Sequence, residues 1–443
     1  MAGRRLSSND VSVVIALAIV VLVLLLIFLV ERRAGRADES DAAAVIGPRA
    51  GAGVSAASPL AVAPSGDAPV ASASASCADI TVQLVPGQTE DGLAARQRDE
   101  AVQAILATLN ANPEPRARAA GLYFRAARDR LEGRVGDLCK ERPDECAASE
   151  QRQRDARGSA EALARLAVDS ADPQVYAWAY RSCAAVARDT AGSCQLINAL
   201  QWARLDPGNA EPWFAVARGA RSRRDGAGVD DAMFHVAAAS VHDAGWGRLV
   251  EEMVKAASQE DRMLVGTWLA SADAMSYETL DLSSPDLSRY CDARALANAN
   301  RRDTCDKIAT VLVDRSTTLL GRSVGVGLAK RLDWPPARLA AIDEESDATR
   351  AVESREALRR SEPPSCGDIR SDLARLVDVG RLGEVEALRR RVARTGEPIA
   401  ALADEGRRLA RRAEEAGAAR EAASAASTVM SAGATSSAVA HGR

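Results

Sequence analysis

The chain has 443 residues, with 57 Lys+Arg against 61 Asp+Glu and a formal net charge of -4, so it offers no general basic surface for nucleic acid. Aromatic residues make up 3% of it, too few for a usual β-sandwich. Lys140, Lys255, Lys307 and Lys330 are the only lysines, and the Ala- and Arg-rich remainder fits a bacterial chain built of helix formers.

Residues 1–10 are a short polar lead. Residues 11–30, VSVVIALAIVVLVLLLIFLV, carry no charge. At ~1.5 Å per residue such a run is long enough for a helix to cross a ~30 Å hydrocarbon core. Secretory apolar regions are shorter and end at a small-residue cleavage site, whereas Glu31, Arg32 and Arg33 follow here. The expectation is a retained single-pass anchor. Arg4 and Arg5 on one side nearly balance Arg32, Arg33 and Arg36 on the other, so flanking charge does not fix the orientation.

Residues 31–76 are rich in Ala, Ser, Pro and Gly and read as a flexible tether. Ile80 to Val85 alternates like a strand but has nothing to pair with, so it reads as an extended lead-in. Helical periodicity follows. Val102, Ile105, Leu106 and Leu109 share a face before Asn112-Pro113 stops the helix. Further helices are expected near Leu122–Leu131, Ser159–Val168, Gln174–Arg188, Cys194–Leu205, Glu211–Arg223 and Asp231–His242. An antiparallel pair is expected over Trp246–Ser258 and Glu260–Ala274. Ser283-Ser284-Pro285 opens a helix holding Cys291, and one long helix runs from Thr304 to Leu332. Helices near Arg338–Arg360, Asp368–Val379 (with Gly380 as its stop), Gly383–Arg394 and Ile399–Arg420 complete the folded part, and residues 421–443 read as a frayed tail.

Eight cysteines are present, six of them in local pairs: Cys139 with Cys146, Cys183 with Cys194, Cys291 with Cys305. None has zinc spacing, and each brackets turn residues, so disulfides in an oxidising compartment are expected. Nothing local pairs Cys77 with Cys366. The cysteines favour an inner-membrane protein with its bulk in the periplasm.

Asp172-Pro173 and Asp206-Pro207 lie 206 − 172 = 34 residues apart, each followed by a helix carrying Trp178 or Trp213. The segment ALQWARLDPGNAEPWFAVA resembles the junction between two tetratricopeptide (TPR) repeats, whose period is also 34. The resemblance is confined mainly to residues 172–240. It departs after Trp213, where Phe214, Ala215 and Val216 replace the usual Leu-Gly; disulfide-clasped hairpins are similar to Sel1-like relatives. It implies an all-α, solenoid-like stack of helical hairpins and recognition of a protein or peptide in a groove. The domains expected are TPR-like repeats over 77–243 and a further helical domain over 244–420.

Motifs that carry chemistry have bland counterparts here. Gly321-Arg322-Ser323-Val324-Gly325 matches the GxSxG of α/β-hydrolases, but helical sequence surrounds it and the small residues suit close helix packing. His235 and His242 are seven apart, two turns of one helix, too far for one ion. Asp343, Glu344, Glu345 and Asp347 read as a solvated helix start. Arg407, Arg408, Arg411 and Arg412 sit beside Glu414 and Glu415 as ordinary helical ion pairs. No catalytic residue, cofactor or metal is expected. Trp178, Trp213, Phe214, Arg407 and Arg411 are the candidates for partner contact, the aromatics being foremost core residues. The function expected is a membrane-anchored scaffold for a protein or peptide. The alternatives are a helical enzyme acting on cell-wall material, which a cleft holding two acidic residues would favour, and a cytoplasmic-facing adaptor.

Overall fold

The computed structural model describes Cys77 and residues 92–133, 143–186, 192–258, 260–278, 284–359 and 364–415. The apolar run 11–30, the tether, Ile80–Val85, Cys139 and the tail 421–443 lie outside the described residues. Among the described residues no helix is long and apolar enough to cross a membrane.

The described residues are helical, with two isolated bridges and no β-strand among them. The first helices are α1 (Gly92–Ala111), α2 (Pro115–Glu132), α3 (Pro143–Val168) and α4 (Pro173–Ala185). A 3-10 turn (Ser193–Leu196) leads into α5 (Ala199–Leu205), α6 (Ala210–Ser222) and α7 (Gly226–Ala238). Then come α8 (Arg248–Ala256), α9 (Asp261–Tyr277) and the short α10 (Ser284–Tyr290). The last helices are α11 (Ala299–Arg315), α12 (Leu319–Arg331), α13 (Pro336–Arg359), α14 (Cys366–Leu382), α15 (Glu384–Arg394) and a helical stretch over 399–415, α16.

Local chemistry sets the starts. Pro occupies the first turn of α2 and α4, where no backbone N–H is missed. Asp172, Asn198, Asn209, Asn298 and Thr318 each accept a backbone N–H at a helix start. Ser365 and Asp368 form a full capping box on α14. The expected stop at Gly380 is not used: α14 runs on to Leu382, and Gly383 at φ 83° ends it.

Hairpins recur as α2 with α3, α6 with α7, and α11 with α12. Two cores result. The first packs Ile105, Leu109, Phe124, Leu163 and Trp178 against Leu249 and Met253. The second packs Phe214 and Met233 against Leu287, Ile308, Leu312 and Leu328. Helices α8 and α9 fold back on α1 and α2, and the Tyr123 hydroxyl reaches the Tyr277 carbonyl at 3.3 Å. The division expected at 243/244 therefore does not separate cores, because each core draws residues from both sides of it. The expected α8–α9 hairpin is the lesser contact, since α9 lies chiefly on α1 and α8 chiefly on α14.

Three disulfides are seen whole. Cys183–Cys194 and Cys291–Cys305 close spans of 11 and 14 residues, while Cys77–Cys366 joins positions 289 apart. Cys146 is also disulfide-bonded. Cys77 and Cys366 sit in a small cluster with Leu264, Val265, Ile369 and Leu373.

Gly380 is retained for closeness rather than for a turn. A Cβ there would stand 2.4 Å from the Gly247 carbonyl oxygen, and Gly247 itself has φ 83°. This contact lets α14 cross the start of α8. Gly380→Ala should destabilise the protein by about 1–3 kcal/mol in a denaturant titration, despite the better helix propensity of alanine. An unchanged midpoint would show that the crossing has slack.

Candidate functional site

Three segments meet between the two cores: residues 206–211, 240–248 and 315–318. Their backbones make a short parallel ladder. Ala210 N–H donates to Val241 O at 2.9 Å, His242 N–H to Arg315 O at 3.1 Å, and Thr317 N–H to His242 O at 2.9 Å.

The ladder exists because two expected helices end early. Helix α7 stops at Ala238, so His242 is off the helix and not on a shared face with His235. The long helix expected from Thr304 to Leu332 breaks at Ser316-Thr317-Thr318. Ser316 leaves the helix, and Thr318 caps α12 through Gly321 N–H at 3.1 Å. His242 is buried here, with Nδ1 2.9 Å from Ser316 Oγ and Nε2 3.3 Å from Glu211 Oε2. A carboxylate only accepts, so Nε2 carries a proton. Gly321 packs on this node: a Cβ there would meet Ser316 Oγ at 2.4 Å and the His242 ring at 2.6 Å. Gly325 meets Leu312 in the same way. The GxSxG glycines are thus helix-packing positions, and Ser323 is exposed.

Beside the node lies a polar cleft of about 230 Å³, lined by residues of both Asp-Pro turns and of the 243–248 loop. The two turns are not equivalent. Asp172 caps α4 directly, accepting Gln174 N–H at 2.8 Å, and Arg116 grips it through two bonds of 2.7 and 2.9 Å. Burial works against the Asp172 carboxylate, but these bonds hold it below the usual range. Asp206 instead ends α5, and Asn209 caps α6. Asn209 is fully used: its Nδ2 donates to Asp206 Oδ2 at 2.8 Å and Asp243 O at 2.9 Å, and its Oδ1 accepts Glu211 and Asp243 N–H. Burial, and then the charge of Asp243, push the Asp206 carboxyl up. Asp243 accepts Gly245 N–H at 2.8 Å and the Thr317 hydroxyl at 3.1 Å. Arg181 donates to Ala244 O and holds the loop.

The loop's far end is held by Glu278, buried and accepting Gly247 N–H at 2.6 Å and Leu249 N–H at 3.0 Å. Burial pushes its carboxyl up to about 7, against the pull of those N–H groups and Arg181. A carboxyl with a raised folded-state pKa contributes stability that is full below its ordinary 4.5 and lost as pH rises through about 7. Wild-type unfolding free energy should therefore fall, relative to Glu278→Gln, by up to about 3 kcal/mol between pH 4.5 and 8. Parallel pH curves for the two proteins would refute that.

The partner-contact candidates do not gather in this cleft. Trp178 is fully buried and stacked on Tyr123. Phe214 is a core residue edge-on to His242, and Trp213 is buried against His235 at 3.9 Å, its Nε1 donating to Pro207 O. Each is a large apolar ring packed inside the fold. Arg407 pairs with Asp347 and Asp404, while Arg411 is exposed on α16. The acidic knot is not a helix start but the middle of α13. Glu345 joins Arg322 and Arg389, and Asp347 joins Arg350 and Arg407. Among the described residues no His, Cys, Asp and Glu group could hold a metal ion.

No family model, curated protein or solved structure matches this chain.

Proposed function

We propose that the protein is a membrane-anchored scaffold of the bacterial envelope, its stack of helical hairpins lying in the periplasm and binding a protein or peptide. One observation carries this reading: the described cysteines are disulfide-bonded, and none is free. Such bonds persist in oxidising compartments. The staple Cys77–Cys366 joins the residue that follows the expected 31–76 tether to α14. The anchor at 11–30 supplies the membrane, and the helical hairpins fit the TPR and Sel1-like resemblance.

Alkaline phosphatase, which folds only where disulfides form, should be active when fused after residue 415. A photo-crosslinking residue at Gln174, on the cleft, should trap a reproducible protein or peptide partner. An inactive fusion would overturn the location, and failure to trap anything from this or any other face would overturn the scaffold.

A second reading is a helical enzyme acting on cell-wall material. The cleft favours it in one respect: Asp206 and Asp243 are two half-buried acids lining it, with Asn209 bonded to the carboxylate of the first and the backbone of the second. Paired carboxyls are the equipment of acid–base hydrolysis. Release of soluble fragments from cell-wall sacculi by the wild type, and not by Asp206→Asn, would establish it.

A further inference from the structure

Two acids, Asp206 and Asp243, and two bases, Arg116 and Arg248, line the cleft; Asp172, Glu251, Glu252, Arg181 and Lys255 stand behind them. The bases are mostly spent. Arg116 is bidentate on Asp172, and Lys255 serves Glu251 at 2.8 Å and Glu252 at 3.3 Å. Arg248 reaches Asp243 only at 3.4 Å and Glu251 at 3.8 Å. Among the described residues Asp206 has no cationic partner, and its carboxylate accepts the neutral Asn209 amide. A half-buried carboxylate in such a place is costly unless a cation arrives.

A second group in the same cleft points to the shape of the arrival. The Gln174 side-chain amide nitrogen is buried and has no hydrogen-bond partner among the described residues. It is a donor awaiting a carbonyl, next to an acceptor awaiting a cation. Pro173, Ala177 and Trp202 give the cleft an apolar wall suited to a methylene stem. We infer that the cleft seats a lysine or arginine side chain of a peptide partner, with Asp206 as its counter-ion, Asp243 beside it and Gln174 bonded to the peptide's own backbone. This rests on the scaffold reading and names the chemistry of its partner.

The test uses the full chain in detergent micelles and four blocked tripeptides, acetyl-Ala-X-Ala-amide with X as Lys, Arg, Leu or Glu. Binding is followed by calorimetry. The Lys and Arg peptides should bind at least tenfold more tightly than the Leu and Glu peptides, and less tightly at high salt. Asp206→Asn should lose that tenfold preference. Asp303→Asn, an exposed acid paired with Lys307 on α11, should keep it. Equal or tighter binding of the Glu peptide, or no binding of any cationic peptide, overturns the assignment on the wild-type protein alone. An unaltered preference in Asp206→Asn overturns the role of Asp206. If the panel fails while the Gln174 crosslinker still traps a partner, the cation assignment falls and the scaffold stands. If no face traps a partner, the scaffold itself falls.

Discussion

Replacing Cys77 and Cys366 together with serine is expected to lower the unfolding free energy by about 3–5 kcal/mol, the largest loss from any one disulfide here. The reason is chain entropy. A bond between positions 289 apart restricts the unfolded chain far more than the bond closing 11 residues at Cys183–Cys194. The same double replacement at Cys183 and Cys194 should cost about 3 kcal/mol or less. Guanidinium titrations under non-reducing conditions measure both. A reversed order would mean that local strain or packing, and not loop closure, sets the value of these bonds. The variant should also admit proteases near residue 77 sooner, because Cys77 enters the fold through this bond and its contacts with Leu264 and Ile369.

His242→Ala is expected to cost a similar amount, about 3–5 kcal/mol, by a different route. The ring is buried between Glu211 and Ser316, and Glu211 is itself 5% exposed. Removing the ring strands a buried acid and opens a void against Gly321, where α12 approaches most closely. Glu211→Gln keeps an acceptor for His242 Nε2–H and should cost only about 1 kcal/mol. The contrast separates the two contributions. If the glutamine variant were as damaging as the alanine one, the charge on Glu211, and not its hydrogen bond, would be the essential feature.

Much of the fold was legible because helices announce their ends. Asp172-Pro173 and Ser284-Pro285 stand at or beside the starts of α4 and α10. The local pairs Cys183–Cys194 and Cys291–Cys305 were legible from spacing. Cys77–Cys366 was not, since a bond between distant positions is decided by how α14 meets α9, which no local pattern records. Gly380 misled for a related reason. A glycine held for close approach to Gly247 looks, in sequence, like a glycine held for a turn.

The candidate site was the least legible part. Trp178, Trp213 and Phe214 drew notice for their size, yet size is what places them in the cores. The residues that form the cleft and node are small, polar and scattered: Asp206, Asn209, His242, Asp243 and Ser316. One signal was available. Ser316-Thr317-Thr318 is a run of three hydroxyl residues inside an apolar periodic stretch, and such residues favour caps over helix interiors. Reading it as a break would have exposed the start of α12, though not the partner that His242 supplies from 74 residues away.

Thiol accounting in intact cells tests the central claim most directly. Cells are quenched with a membrane-permeant alkylating reagent before lysis, and the protein is digested without reductant and analysed by mass spectrometry. The account predicts disulfide-linked peptides joining Cys77 to Cys366, Cys183 to Cys194 and Cys291 to Cys305, with no alkylated cysteine among them. Alkylated Cys77 and Cys366 in the bulk of the protein would contradict both the staple and the oxidising location built upon it.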